Sequence, residues 1–117
     1  PVPFPRILGC DGAGEVAGLG AGVAGLAIGT RVLVAPGVSS GTSREDLSGA
    51  DHLAPDYQIL GEDRDGVDAE FVVVPRANAI ALPAAVSLID AAAMPLVFCT
   101  AWGLLVEKGG LRAGQDV

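Results

Sequence analysis

The sequence predicts a mainly β chain with helices gathered at its C-terminus, an α+β arrangement. Short β-branched or apolar runs (Arg31-Val32-Leu33-Val34, Phe71-Val72-Val73-Val74 and Asn78-Ala79-Ile80-Ala81-Leu82) are bounded by glycine or proline, as strands are. Glycine-rich and polar connections, not helical periodicity, join them. From Ser87 onward the pattern changes to a capped, alanine-rich and then almost uniformly apolar stretch that reads as helix.

Composition narrows the function. The 117 residues make at most one domain with a real core. Half of them are hydrophobic and 18% charged, a globular and not a disordered balance. Fourteen acidic against seven basic residues, net −7, argue against nucleic acid or an anionic membrane surface as partner. No apolar run approaches the roughly 20 residues of a membrane span, and no export signal is visible. Two cysteines, Cys10 and Cys99, make no disulfide framework, so a reducing cytoplasm is the expected setting. The start at Pro1 and the stop at Val117, straight after a turn-like Ala113-Gly114-Gln115, suggest a piece of something longer.

Taken in order, Pro1, Pro3 and Pro5 give an extended lead-in. Gly9-Cys10-Asp11-Gly12-Ala13-Gly14 then sets a thiol beside a carboxylate among glycines. Such backbone passes close to other backbone or takes positive φ, and it leads into a strand. Residues 20–25 match the dinucleotide fingerprint G-x-G-x-x-G, but that motif needs a strand before it and a helix after it. Gly29 interrupts nine residues after Gly20, and a strand follows, so a glycine-rich connection between two strands is expected instead.

Residues 36–57 form a polar excursion whose length suggests function or its relic. The sole histidine, His52, falls there with no second histidine or cysteine near it, and reads as a solvated loop residue. Glu62, Asp63, Asp65, Asp68 and Glu70 crowd the next turn, without the sixth-position glycine and flanking helices of a calcium loop. They read as a turn feeding a strand at Phe71–Val74. Ser87, with Asp90 three residues on, has the capping-box pattern for a first helix. Pro95 should end that helix and open a second, from Leu96 to about Lys108, stopped by Gly109-Gly110. Being apolar nearly all round, the second helix is expected to be buried, with Trp102 in the core. Leu96, Thr100 and Gly103 share one face of it, which puts a small hydroxyl on a greasy surface.

Several segments occur together in one order: Gly9-x-Asp11-x-x-Gly14-x-Val16, Gly20-x-Gly22-Val23, Gly29-x-Arg31-Val32, Gly61-Glu62, Asp65-Gly66, Ala69-Glu70-Phe71-Val72-Val73-Val74-Pro75, and Pro95-Leu96 with Thr100-Ala101-Trp102. The series resembles the catalytic domain of the medium-chain dehydrogenase/reductase superfamily, the zinc-type alcohol dehydrogenases and quinone oxidoreductases. The resemblance implies a GroES-like, partly open β-barrel truncated at both ends. It assigns 1–86 to the barrel, with a degenerate zinc lobe at 36–57, and 87–117 to a helical segment leading to an absent Rossmann domain. By that template the first strands are also missing.

The departures from the family pattern bear on chemistry. Gly9-Cys10-Asp11 stands where zinc-dependent members have Gly-His-Glu, with Cys10 in place of the histidine ligand, and Leu96 stands where a cysteine ligand is expected. A catalytic zinc needs three protein ligands and an open position, so none is expected here. The structural-zinc spacing Cys-x2-Cys-x2-Cys-x7-Cys is kept, but Ser40, Ser43, Asp46 and Ala54 occupy it. Hydroxyls and a methyl do not replace thiolates around zinc, so the lobe is expected to be metal-free and the most mobile part.

What the resemblance implies is hydride transfer between NAD(P)H, held mainly by the absent Rossmann domain, and a small alcohol, carbonyl, quinone or enone. Cys10, Asp11 and Thr100 would carry the site, with Thr100 touching the nicotinamide and Asp11 orienting its neighbours. A small-molecule substrate is the implied partner, and a homo-oligomer is open to the full-length form. A non-catalytic GroES-like binding or scaffolding module fits the loss of both zinc sites equally well.

Overall fold

The computed structural model describes residues 4–117. Pro1 and Pro3 of the lead-in lie outside them, and the Phe4–Pro5 peptide bond is cis. Strand β1 (Gly12–Glu15) pairs antiparallel with β2 (Arg31–Val34), with Gly12 opposite Val34 and Glu15 opposite Arg31. On its other edge β2 pairs antiparallel with β5 (Ala79–Ala81), giving a sheet of order β1-β2-β5. Between them in sequence, β3 (Gly37–Val38) and β4 (Gln58–Ile59) form a separate two-stranded sheet. The fold is mostly strand and turn with a few short helices, as the sequence predicts, and the sheets do not close into a barrel.

The glycine-rich connection between β1 and β2 is a loop, not a helix start. The Val16 amide donates to Thr30 O and the Gly29 amide to Val16 O, closing it at its base. Arg76 fastens it from outside, donating from Nε to Ala24 O at 3.1 Å and from a terminal nitrogen to Gly25 O at 3.1 Å. The dinucleotide-like spacing there is incidental.

The apolar core is small: Val34, Val38 and the fully enclosed Leu60, with Val67 and Val74 packed against them. Alternation along β2 produces it, since Val32 and Val34 point inward while Arg31 and Leu33 stay half-exposed. Asn78 is the one buried polar residue among those described. Its Nδ2 donates to Ala35 O and Gly37 O, which pins the bend where β2 leaves one sheet for the other.

The C-terminal helices begin where expected. In α2 (Leu88–Ala92) the Ser87 hydroxyl accepts from the Asp90 amide at 3.0 Å and donates to the Asp90 carboxylate at 2.6 Å. Helix α2 packs on β1 and β2. Arg31 strengthens that contact by donating to Val86 O at 2.6 Å and Ala84 O at 3.3 Å. Helix α3 (Pro95–Trp102) has proline in its first turn and widens into a π-type turn over Gly103–Lys108. It ends at Gly109-Gly110, where Gly110 has φ +67°.

Two expectations fail. Phe71–Val74 is not a strand: among the described residues no strand lies alongside, and Val73 is 90% exposed. A β-branched run supplies the conformational bias, but a strand also needs a hydrogen-bonding partner. Helix α3 is not enclosed either. Phe98 and Trp102 are each 61% exposed and only Pro95 is buried, because no element of the described chain covers its outer face.

The opening segment docks by backbone. Amides of Gly66, Val67 and Asp68 donate to Ile7 O, Gly9 O and Leu8 O at 2.8–3.0 Å. The chains approach so closely that a Cβ on Gly66 would meet Gly9 O, Leu8 O and Gly61 Cα, all backbone atoms unable to swing away. Gly66→Ala is therefore expected to destabilise the chain by about 3 kcal/mol or more, read as a lower urea midpoint at unchanged slope.

Candidate functional site

The glycine contact just described fixes the residue that follows it. Cys10 sits half-buried directly after Gly9, whose own missing Cβ makes room for the Asp68 side chain. Burial first, then the negative charges of Asp11, Glu62 and Asp68, push the Cys10 thiol up. It is accordingly a neutral S–H at neutral pH, a weak donor and not a thiolate.

Asp11 reaches across the fold. Its Oδ1 accepts a 2.7 Å hydrogen bond from the Leu96 amide, 85 residues away in sequence. Helix α3 needs such a partner, because Met94 at its N-cap offers no side-chain acceptor and Pro95 has no N–H, which leaves the Leu96 amide to be satisfied from outside the helix. The carboxylate also faces the positive end of the helix dipole. One turn on, Thr100 Oγ1 donates to Leu96 O at 2.8 Å. Asp11, Leu96 and Thr100 thus form one connected path beside Cys10. The Thr100 hydroxyl proton is engaged, while its oxygen lone pairs face an exposed surface.

Leu96 presents only an aliphatic side chain where a ligand is expected. Among the described residues, no three His, Cys, Asp or Glu side chains converge to hold a metal ion. Cys99 is exposed one position before Thr100.

The polar excursion is stitched by hydrogen bonds. A short helix, α1 (Arg44–Leu47), carries a full capping box: Asp46 N donates to Ser43 Oγ at 3.1 Å, and Ser43 N to Asp46 Oδ2 at 2.9 Å. Ser39 Oγ adds a 2.6 Å bond to Asp46 Oδ1. Ser40 N donates to the Asp56 carboxylate at 3.0 Å, and Ala54 is buried. All four positions that the resemblance gives to structural-zinc ligands therefore have protein contacts, with Asp46 at the hub. The Ser43-x-x-Asp46 spacing is the signal that could have placed α1 in a stretch read only as a polar excursion; nothing local marks the part played by Ser39. His52 lies exposed on a 3₁₀ turn, as a solvated loop residue. The acidic turn is likewise structural in part, since Asp63 accepts from Ile59 N and Asp65 from Ile7 N.

The fold and this constellation define a class. Residues 1–84 match the alcohol dehydrogenase GroES-like domain, and the chain belongs to that family. L-threonine 3-dehydrogenase of Photobacterium profundum is 38% identical over 86 residues, 74% of this chain and 25% of that enzyme. The crystal structure of an NAD-dependent alcohol dehydrogenase superposes on 98% of this chain and 34% of its own, with 49% identity and a TM-score of 0.92. A thermostable alcohol dehydrogenase from Pyrobaculum aerophilum matches 90% of this chain and 32% of its own, at 33% identity and a TM-score of 0.82. The chain spans about a quarter to a third of the relatives it matches.

Two outcomes follow from this geometry. Asp11→Ala should cost about 1–3 kcal/mol by orphaning the Leu96 amide, whereas Asp11→Asn, which keeps an acceptor, should cost less than half of that; urea titration of both variants measures the gap. The Ser39 hydroxyl first, then the Ser43 amide, hold the Asp46 carboxyl below the usual carboxylate range. A lowered folded pKa contributes stability that is complete above the ordinary value of about 4 and is lost as pH falls through the folded value. The drop in urea midpoint between about pH 7 and about pH 2 should accordingly be larger for the native chain than for Asp46→Asn.

Proposed function

We propose that the chain is the substrate-side part of an NAD(P)H-dependent oxidoreductase that moves hydride to or from a small alcohol or carbonyl compound without a catalytic zinc. The observation that carries this is the path from Asp11 through Leu96 to Thr100, which ties the Cys10 strand entrance to the face of α3. The nicotinamide, when bound, supplies or takes the hydride. Thr100 Oγ1, its proton committed to Leu96 O, is an acceptor suited to a carboxamide N–H. Asp11 acts through the helix: it fixes where Leu96 sits and hence where Thr100 stands, a positioning role. Cys10, kept protonated, offers a weak donor toward a substrate oxygen on which charge develops.

A catalytic zinc does not fit these residues. Thiolate, not thiol, is the metal-binding form, and the Cys10 thiol is pushed toward the protonated form while Leu96 offers no donor atom. Relatives named as NAD-dependent alcohol dehydrogenase and L-threonine 3-dehydrogenase support a nicotinamide cofactor and a small hydroxyl-bearing substrate. Among the described residues no helix is long and apolar enough to cross a membrane.

The test is a chimera in which this chain replaces the matching third of the NAD-dependent alcohol dehydrogenase. Turnover that survives exhaustive chelation, and falls about tenfold or more with Thr100→Val, is the expected result. Turnover abolished by chelation and restored by zinc would overturn the metal-free assignment, and NADH binding without turnover on any small alcohol would favour a non-catalytic module. The 117-residue chain alone should leave Trp102 fluorescence unchanged on NADPH titration, because residues 20–25 do not lead into a helix that could seat a pyrophosphate.

A further inference from the structure

Tyr57, the only tyrosine of the chain, stands immediately before β4, and its ring crosses the backbone of β3 at Gly37. A Cβ on Gly37 would overlap both the ring and the hydroxyl, so the glycine is what lets the ring lie there. The Tyr57 amide donates to Ala54 O at 3.0 Å and fixes the backbone that carries the ring. The half-buried ring is thus held, but its hydroxyl makes no hydrogen bond among the described residues and is not sealed from solvent. A phenol set this firmly ordinarily has a partner for its O–H.

Two links bring that hydroxyl to the Cys10–Thr100 site. From Tyr57 the chain runs through β4 to Gly61, four residues on and therefore at most about 14 Å away. Gly61 lies against the backbone of Gly9, the residue that carries Cys10. On the other side stands Cys99 of α3, next to Thr100. Burial first, then the negative charges of Asp51 and Cys99, push the Tyr57 phenol up. It is accordingly a hydrogen-bond donor at neutral pH.

We propose that Tyr57 is a specificity-determining residue, whose hydroxyl donates to a second, uncharged oxygen of the substrate that takes no part in hydride transfer. This assignment rests on the hydride-transfer reading above, in which Cys10 faces the reacting oxygen. Carboxylates stand near both donors: Asp51 by Tyr57, and Asp11, Glu62 and Asp68 by Cys10. A glycol or hydroxy ketone suits such surroundings, whereas a hydroxy acid would bring a like charge into them. Discrimination follows from the donor itself, because an alcohol without the second oxygen leaves the phenol unpaired in a site closed to water.

The experiment uses the chimera with the NAD-dependent alcohol dehydrogenase, loaded with NAD, and compares ethylene and propylene glycol with ethanol and n-propanol. Tyr57→Phe keeps the ring over Gly37 and breaks no hydrogen bond of the described chain, so its folding should be unchanged. In this variant kcat/KM for at least one glycol should fall about fivefold or more, while the values for both simple alcohols change less than about twofold. Equal losses on glycols and simple alcohols, or no loss on either, overturn the assignment. A second readout needs no turnover. With ring-fluorinated tyrosine incorporated, the fluorine resonance that Tyr57→Phe removes belongs to Tyr57, and it should shift saturably with the glycol and not with the simple alcohol. A resonance that neither glycol moves overturns the assignment, whatever the turnover. A chimera that oxidises no alcohol, but in which a glycol still moves this resonance, sinks the hydride-transfer reading and upholds the Tyr57 contact.

Discussion

The close passage of backbone over backbone at Gly9 sets the rest of the site. Three successive amides of the acidic turn donate to the carbonyls of residues 7–9, and this spacing is attainable only because Gly66 and Gly61 carry no side chain. That contact aims Cys10 and Asp11. From there a single carboxylate oxygen reaches the first turn of α3, converting a loop position into a helix anchor. Asp11 is thereby the mechanical link between the sheet and the helix that carries Thr100, and its two neighbours in space, the thiol and the helix N-terminus, account for both of its roles.

Elsewhere in the chain a carboxylate organises the polar excursion of residues 36–57. Asp46 gathers Ser39 and Ser43 onto one side chain. Hydrogen bonds to an ionised group are among the stronger neutral-pH contacts, but each is far weaker than a metal–thiolate bond. The lobe therefore also relies on short-range capping in α1 and on burial of Ala54.

The described chain leaves two apolar surfaces without a partner: the outer face of α3, with Val97, Phe98, Trp102 and Leu104, and the cleft beside β1. They differ in kind. The helix has its backbone groups satisfied internally and offers only side chains, so it suits another packed layer. The cleft is instead floored by the buried side chains of Val32, Val34 and Ala79.

Local chemistry in the sequence determined a good deal: the strands at Arg31–Val34 and Ala79–Ala81, the start of α2 at Ser87, the proline-led α3 with its double-glycine stop, and the rejection of Gly20–Gly25 as a nucleotide loop. Each depends on residues within a few positions of one another, where propensity, capping and turn rules operate. The family was legible because its glycines and acidic residues recur in order. Tertiary structure alone decided what depends on distant neighbours. Phe71–Val74 has the composition of a strand and, among the described residues, no partner to make it one. Trp102 has the composition of core and no layer above it. Asp11 finds its amide 85 residues away, a distance in sequence at which no local pattern carries information.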